Sequence, residues 1–510
     1  MSHHIRILSM SDVHGTVFPH SYADGTQFNG GYAKLKSLID FLRDDHTVVI
    51  DNGDTIQGNP LMFFHYLKRP DRPCPASVAL RDIGVDFVNI GNHDFNEGPE
   101  ALLAHLAESG ATCITTNVTR NGKPLAQPYV MRSLGGKLVA FFGVVTQHVP
   151  HWEPENHLTG IDFKDAFETV QATVSALRAL PRRERPDYIV CVYHGGFERD
   201  PATGELMGED SGENEGYRIV TETEGLDVLI TGHQHIAIKG ESHGTVYTQP
   251  GVKGAYLSVI DIDTFSGKIR ARLIAPDEDA DENMLALFEE EEKACQLWLD
   301  TPLGETKTDL LIRDEFDARL HKSQVVTYLN HVQAGATGAE LSATSLFAGA
   351  TGFGKQITMR DLVSTYVFTN TLVVKQITGA VLRAYLEKTS LYWTLSAEGG
   401  IIVSEDFIGP SEAHFNYDMV DGVEYTIRVS NPPGKRITEL TRNGKPVRDD
   451  DVFTLVINNY RAAGGGEYDM LSSAKTVSEN QTDMVELLAN DILKNGEIDF
   501  EPADNIRIVI

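Results

Sequence analysis

Five short segments of the sequence carry side chains that bind cations. They are SDVHG with Asp12 and His14, NGDTIQGNP with Asp54, GNHDFN with Asn92, His93 and Asp94, VYHGG with His194, and TGHQH with His233 and His235. Imidazole and carboxylate together suit borderline divalent cations such as Zn, Mn or Fe better than Ca. A carboxylate can bridge two cations, and the single Asp of NGD is the best bridge candidate. Two cations roughly 3.5–4 Å apart clamp a phosphoryl oxygen and lower the pKa of a bound water. The resulting hydroxide attacks phosphorus in line with the leaving oxygen. Each segment alone has a plainer reading: Asp-x-His after a strand is commonly a capping pair, and Gly-Asn is commonly a turn. All five in one chain, each following an apolar run, point to a metal centre.

Residues so far apart in sequence need a scaffold that brings strand ends together. The runs 5–10, 47–50, 86–90, 112–115, 138–145, 188–193 and 228–230 read as strands. Between them, 31–45 places Tyr32, Leu35, Leu38, Ile39 and Leu42 on one helical face, and 97–108 repeats the pattern with Leu102, Leu103 and Leu106. Three further runs, 246–248, 256–262 and 269–274, look like antiparallel strands. Strand–helix alternation implies an α/β layered fold, and strand ends in an open α/β sheet converge on one crevice. The acidic, turn-like 276–283 precedes a helix-compatible stretch at 284–299. This reading predicts a first domain over 1–280, a connecting helix over 281–300 and a second domain over 301–510. The second domain mixes helices at 322–337, 378–389 and 482–494 with strands at 372–377, 423–430 and 452–457.

A chain of 510 residues exceeds one ordinary core, so two domains are expected. The net charge of −29 repels a phosphate backbone and argues against stable binding to long nucleic acid. A local cation pair can reverse that field inside a cleft, so a small phosphorylated substrate stays compatible. Four widely spaced cysteines suit neither a disulfide framework nor a zinc-thiolate site. The N-terminus lacks the pattern of a signal peptide and no stretch approaches 18 apolar residues, so a cytoplasmic, non-membrane protein is expected. No obligate protein partner is evident.

In the second domain, NNYRAAGGGEYD places Tyr460 beside Gly464, Gly465 and Gly466, where backbone can approach a ligand closely. HFNYDMVDGVEY contributes Phe415 and Tyr417, which share a face if the segment is a strand. Two facing rings can sandwich a base of any identity; packing is the plainer role for each ring alone.

The five cation-binding segments resemble the calcineurin-like metallophosphoesterases. With the second domain, the chain resembles the 5′-nucleotidase family over essentially its whole length. The resemblance implies a four-layer αββα phosphoesterase domain followed by a smaller α/β nucleotide-binding domain. It implies one metal on Asp12, His14, Asp54 and His235, and a second on Asp54, Asn92, His194 and His233, with Asp54 bridging. Asn92 would also face the substrate. His93 would stand by the phosphate, stabilising charge or protonating the leaving group. The family stacks its base between two aromatics. Spacing back from Gly422 favours Tyr417 over Phe415 as the first ring, and Tyr460 matches the second.

Three departures bear on substrate, the first two of them in the metal-site motifs. The residue expected to pair with the catalytic His is Asp in 5′-nucleotidases and Asn96 here; an amide orients an imidazole but does not stabilise imidazolium as a carboxylate does. The last metal motif is GHQH rather than Gly-His-x-Gln. Both match the sister group of 2′,3′-cyclic-nucleotide 2′-phosphodiesterase/3′-nucleotidases. An Asn-Gly-Gly-x-Arg element of the 5′-nucleotidases is replaced by LFAGATGFGK, leaving Lys355 and Arg360 as open substitutes. Hydrolysis of 2′,3′-cyclic nucleotides and 3′-nucleotides is therefore expected first. The alternatives are a 5′-nucleotidase or nucleotide-sugar diphosphate hydrolase and, in another class, a non-catalytic nucleotide sensor.

Overall fold

Parallel strands that bury both faces become near-continuous apolar runs, and those of the first half assemble into two six-stranded sheets. The computed structural model describes residues 4–153, 155–207, 212–368, 370–408, 413–480, 482–498 and 500–510. One sheet runs in the order Ile269–Ile274, Leu257–Asp263, His4–Met10, Thr47–Asp51, Phe87–Val88, Thr112–Cys113. Its last four strands are parallel, with Ile7 opposite Val48 and Ile50 opposite Phe87. The second sheet runs Ala237–Ser242, Thr245–Pro250, Val228–Thr231, Tyr188–His194, Lys137–Val145, Val130–Leu134. Its central four strands are parallel and its edges antiparallel.

The sheets pack face to face. Ile5, Ile7, Val48, Ile50 and Phe87 meet Phe141, Val190, Val192 and Ile230 in one core. On the outer face of the second sheet, Phe142, Val144, Cys191 and Tyr193 pack against Val170, Val174 and Leu177 of the helix Ala166–Ala179. Strand alternation turns Leu8 and Met10 to the outer face of the first sheet. Both are fully buried there, on the side of the helices Tyr32–Leu42, Pro75–Ile83 and Gly98–Glu108, which pack on one another in series. The layers are helix, sheet, sheet, helix.

The chain divides into two compact units, Met1–Cys295 and Gln296–Ile510. The segment 281–300 forms the helices Glu282–Leu287 and Glu289–Leu299, and the division falls within the latter. Up to that point it is tied to the first unit: Glu291 pairs with Arg69 and Arg72, and Glu292 accepts from the Tyr22 hydroxyl. The second unit centres on a five-stranded sheet in the order Asp418–Asp421, Leu341–Ser345, Val452–Asn458, Leu372–Thr378, Lys475–Asn480. The helix Gln324–Thr337 packs on it. Among the described residues no helix is long and apolar enough to cross a membrane.

Candidate metal centre

Every cation-binding segment sits at or just beyond the C-terminal end of a parallel strand. Asp12 and His14 follow His4–Met10, Asp54 follows Thr47–Asp51, and Asn92 and His93 follow Phe87–Val88, all from the first sheet. His194 ends Tyr188–His194, and His233 and His235 follow Val228–Thr231, both from the second. The loops turn inward abruptly. Asp12, His14, Asp54, His233 and His235 all hold φ between 51° and 71°, five of the eleven non-glycine residues with positive φ among the described residues. Such geometry costs roughly 1–2 kcal/mol per residue and gathers where surrounding structure enforces it for function.

The loops are pressed together. A Cβ at Gly91 would lie 2.2 Å from Asp54 Oδ1, so only glycine fits there. Asp94 fastens the same loops: its carboxylate accepts from the backbone N–H of Asp54 (3.0 Å), Thr55 (2.8 Å), Ile56 (3.1 Å) and Gly91 (2.8 Å). Below them, the amide of buried Asn89 donates to Asn52 Oδ1 and to the carbonyls of Val144 and Val192, tying the two sheets. The sequence reading named Asp94 only as part of its segment and did not single out Asn89. Asn89 had a signal, a polar residue inside the apolar run of 86–90.

The structure brings Asp12, His14, Asp54 and His235 together, with one donor atom from each within 4.8 Å of the others. His14 Nε2 is 3.1 Å from His235 Nε2, and His235 Nε2 is 3.5 Å from Asp12 Oδ1. On the other side of Asp54, its Oδ2 is 3.3 Å from His194 Nε2, and Asn92 Oδ1 is 3.1 Å from His194 Nε2 and 2.8 Å from His233 Nδ1. Asp54 is thus shared by two donor sets. Its Oδ2 is buried and, among the described residues, makes no hydrogen bond, with only the His194 and His14 rings as ion-pair neighbours, which leaves lone pairs for a bound cation. The donors fit divalent ions.

Electrostatics favour the ligating form at His14 and the two carboxyls, whereas His194 would have to give up a proton to a bound cation. Burial pushes the His14 imidazole down to about 3, so it is neutral, the form that ligates. Burial disfavours ionisation of Asp12 and Asp54, yet His194 and its neighbours hold both carboxyls below the usual range. Burial also disfavours a charged His194, but Asp54 and Asp12 carry it up to about 10. Backbone carbonyls orient the rings: His14 Nδ1 donates to Gln57 O (3.0 Å) and His194 Nδ1 to Asn52 O (2.5 Å). His233 Nε2 lies 2.6 Å from Glu213 Oε1, and its ring stacks on Trp152 at 5.5 Å. Nothing in the sequence pattern pointed to Glu213 or Trp152, because their proximity is made by loops.

His93 stands beside this centre, its ring 5.5 Å from that of His14 and its backbone N–H donating to Asp54 Oδ1 at 2.7 Å. Its Nδ1 is 2.8 Å from Asn96 Oδ1.

In the second unit the two candidate first rings are placed differently. His414–Asn416 is a 3₁₀ turn and the strand starts only at Asp418, so Phe415 and Tyr417 do not share a face. Tyr417 is 1% exposed, stacked on Tyr392 at 4.5 Å and edge-on to Trp393. It is core. Phe415 is half-buried and lies edge-on to half-buried Tyr460, with ring centroids 6.1 Å apart at 76°. The glycines make room for neighbours: a Cβ at Gly465 would strike the Tyr460 ring at 2.5 Å, and one at Gly464, where φ is 101°, would meet Ser472 at 3.3 Å. Arg360 is engaged by Asp300 and Gln296.

Residues 5–237 match the calcineurin-like phosphoesterase family, and residues 302–473 match the 5′-nucleotidase C-terminal domain. The chain is 26% identical to the 2′,3′-cyclic-nucleotide 2′-phosphodiesterase/3′-nucleotidase of Salmonella typhimurium, over 99% of this chain and 88% of that one. It is 25% identical to the trifunctional nucleotide phosphoesterase protein of Bacillus subtilis over 99% of its own length, which spans 39% of that longer protein. Among solved structures, a Staphylococcus aureus 5′-nucleotidase candidate in complex with α-ketoglutarate superposes with a TM-score of 0.91 at 30% identity, over 99% of this chain and 100% of that one.

Proposed function

We propose that this chain, which belongs to the calcineurin-like phosphoesterases that carry a 5′-nucleotidase C-terminal domain, hydrolyses phosphoesters of nucleotides, with 2′,3′-cyclic nucleotides and 3′-nucleotides as its substrates. The observation that carries the reading is the pair of donor sets sharing Asp54. Asp12, His14, Asp54 and His235 would hold one divalent ion, and Asp54, Asn92, His194 and His233 the other, with Mn, Zn or Fe each suited to the donors. When bound, such ions polarise the phosphoryl group and acidify water. The protein's own residues supply the rest. The loop clamped by Asp94 holds Asp54 in place. With Nδ1 committed to Asn96, His93 has Nε2 left for the substrate, where its proton can pass to the leaving oxygen. The reading places a base at Phe415 and Tyr460, whose edge-on rings would turn apart to stack on it. Asn96 in place of Asp, and GHQH, favour the cyclic-nucleotide and 3′-nucleotide substrates.

Phosphate release from 2′,3′-cyclic AMP, 3′-AMP, 5′-AMP, a nucleotide sugar and p-nitrophenyl phosphate tests the proposal. Turnover is expected to be highest on the first two; preference for 5′-AMP or the nucleotide sugar would replace the substrate assignment. Exhaustive chelation should lower activity at least about a hundredfold, with recovery on adding Mn²⁺ or Zn²⁺. Phe415→Ala and Tyr460→Ala should each raise KM for nucleotides about tenfold, the scale of one stacking contact, while leaving p-nitrophenyl phosphate nearly unchanged. Equal losses on both substrates would refute base stacking there.

A further inference from the structure

The catalytic imidazole has a second neighbour beyond its amide. Asn96 Nδ2 donates to Glu153 Oε1 at 2.5 Å, and Glu153 Oε2 lies 3.2 Å from His157 Nδ1. The Glu153 side chain is only 6% exposed. Glu153 follows the short helix Val149–Trp152, on a different loop from His93 and Asn96. A buried carboxylate that meets the amide partner of an active-site histidine calls for an account, since burying it is costly.

We infer that Glu153 is a positioning residue for His93, acting through Asn96 by fixing which end of the amide meets the imidazole. The inference rests on His93 acting at the leaving oxygen. Its logic is one of donor and acceptor. An ionised carboxylate only accepts hydrogen bonds, so it admits only the NH₂ end of the Asn96 amide. That turns Asn96 Oδ1 toward His93, and an oxygen there requires the proton on Nδ1. The ring therefore presents Nε2 to the substrate. When the P–O bond breaks, its electron pair stays on the leaving oxygen, which takes the Nε2 proton. The ring keeps Nδ1–H and ends neutral.

The relay makes a prediction with a change of sign. Glu153→Gln in the otherwise native protein removes the acceptor-only group and lets the Asn96 amide turn over. It should lower kcat on 3′-AMP about tenfold or more, the usual scale for losing an outer partner of an active-site histidine. KM and bound metal should hold, and the loss on p-nitrophenyl phosphate, whose leaving group needs no proton, should be smaller. In an Asn96→Asp background the same substitution should raise kcat. There a carboxylate already meets His93 directly, Glu153 only repels it, and glutamine offers it a donor. Inversion between the two backgrounds, on protein of equal metal content, establishes the relay. Parallel losses in both, an unchanged kcat in the native background, or loss of metal with Glu153→Gln overturns it. Wild-type protein that turns over no phosphoester would instead remove the role of His93 on which the inference rests.

Discussion

Asp54→Asn should abolish phosphoester turnover, by at least about a thousandfold, while leaving the metal-free protein folded. Asparagine has nearly the shape of aspartate and tolerates left-handed geometry, so it can keep the φ of 54° that the loop demands. Its carbonyl can still accept from the His93 N–H, as Asp54 Oδ1 does at 2.7 Å. What disappears is the charge and the second oxygen, Oδ2, which lies 3.3 Å from His194 Nε2 and 3.9 Å from His14 Nε2. Both donor sets lose their shared member at once. His194 then gives up the proton that Asp54 and Asp12 sustain, rather than remain a buried cation with half its support. The variant should bind less metal than wild type when loaded identically, and thermal unfolding without metal should shift by only a few degrees, as roughly 1 kcal/mol of change implies. Metal analysis, kcat on 3′-AMP and calorimetry check this together. Undiminished turnover would sink the assignment of the centre.

Arg461→Ala should destabilise the second unit by about 3–5 kcal/mol, the usual cost of orphaning a buried ionic partner. Arg461 is 1% exposed. Its Nε donates to Asp418 Oδ2 at 2.6 Å, its Nη2 to Phe415 O at 2.8 Å and its Nη1 to the carbonyl of Gly465. Its guanidinium also lies 4.0 Å over the Tyr468 ring. One side chain thus ties the turn bearing Phe415 to the glycine loop over which Tyr460 lies. Its loss leaves the Asp418 carboxylate, which also accepts from the Tyr385 hydroxyl, without its cation. The melting transition of the second unit should fall by roughly 6–20 °C, and KM for nucleotides should rise as the two rings lose their common anchor. Metal content and p-nitrophenyl phosphate turnover should persist, because every metal donor lies in the first unit. Arg461→Lys should recover little, since one ammonium cannot make the fork of contacts. Stability within about 1 kcal/mol of wild type would show that the loops are held by other contacts.

Much of the first unit was legible because its signals are local. A strand of His4–Met10 or Tyr188–His194 announces itself as a short apolar run, and a donor placed just after such a run lands at a strand end whatever the sheet order. The helix Tyr32–Leu42 followed from one apolar face. The second unit was less legible where a short turn replaced a strand. The alternation that seemed to align Phe415 with Tyr417 is broken by His414–Asn416, and a single 3₁₀ turn leaves little trace in composition.

By itself, then, the sequence determined the donor types, their order along the chain and their position after apolar runs, since these depend on residue identity and short-range periodicity. Only the tertiary structure decided that the donors come from two sheets stitched by Asn89. It likewise decided that Asp94 clamps the Asp54 loop, that Phe415 rather than Tyr417 lies against Tyr460, and that Glu153 meets Asn96 and Glu213 meets His233 across long stretches of sequence. The physical reason is shared. Each of these contacts joins residues brought together by chain folding rather than by helical or strand repeat, and which loop meets which is set by how the layers pack.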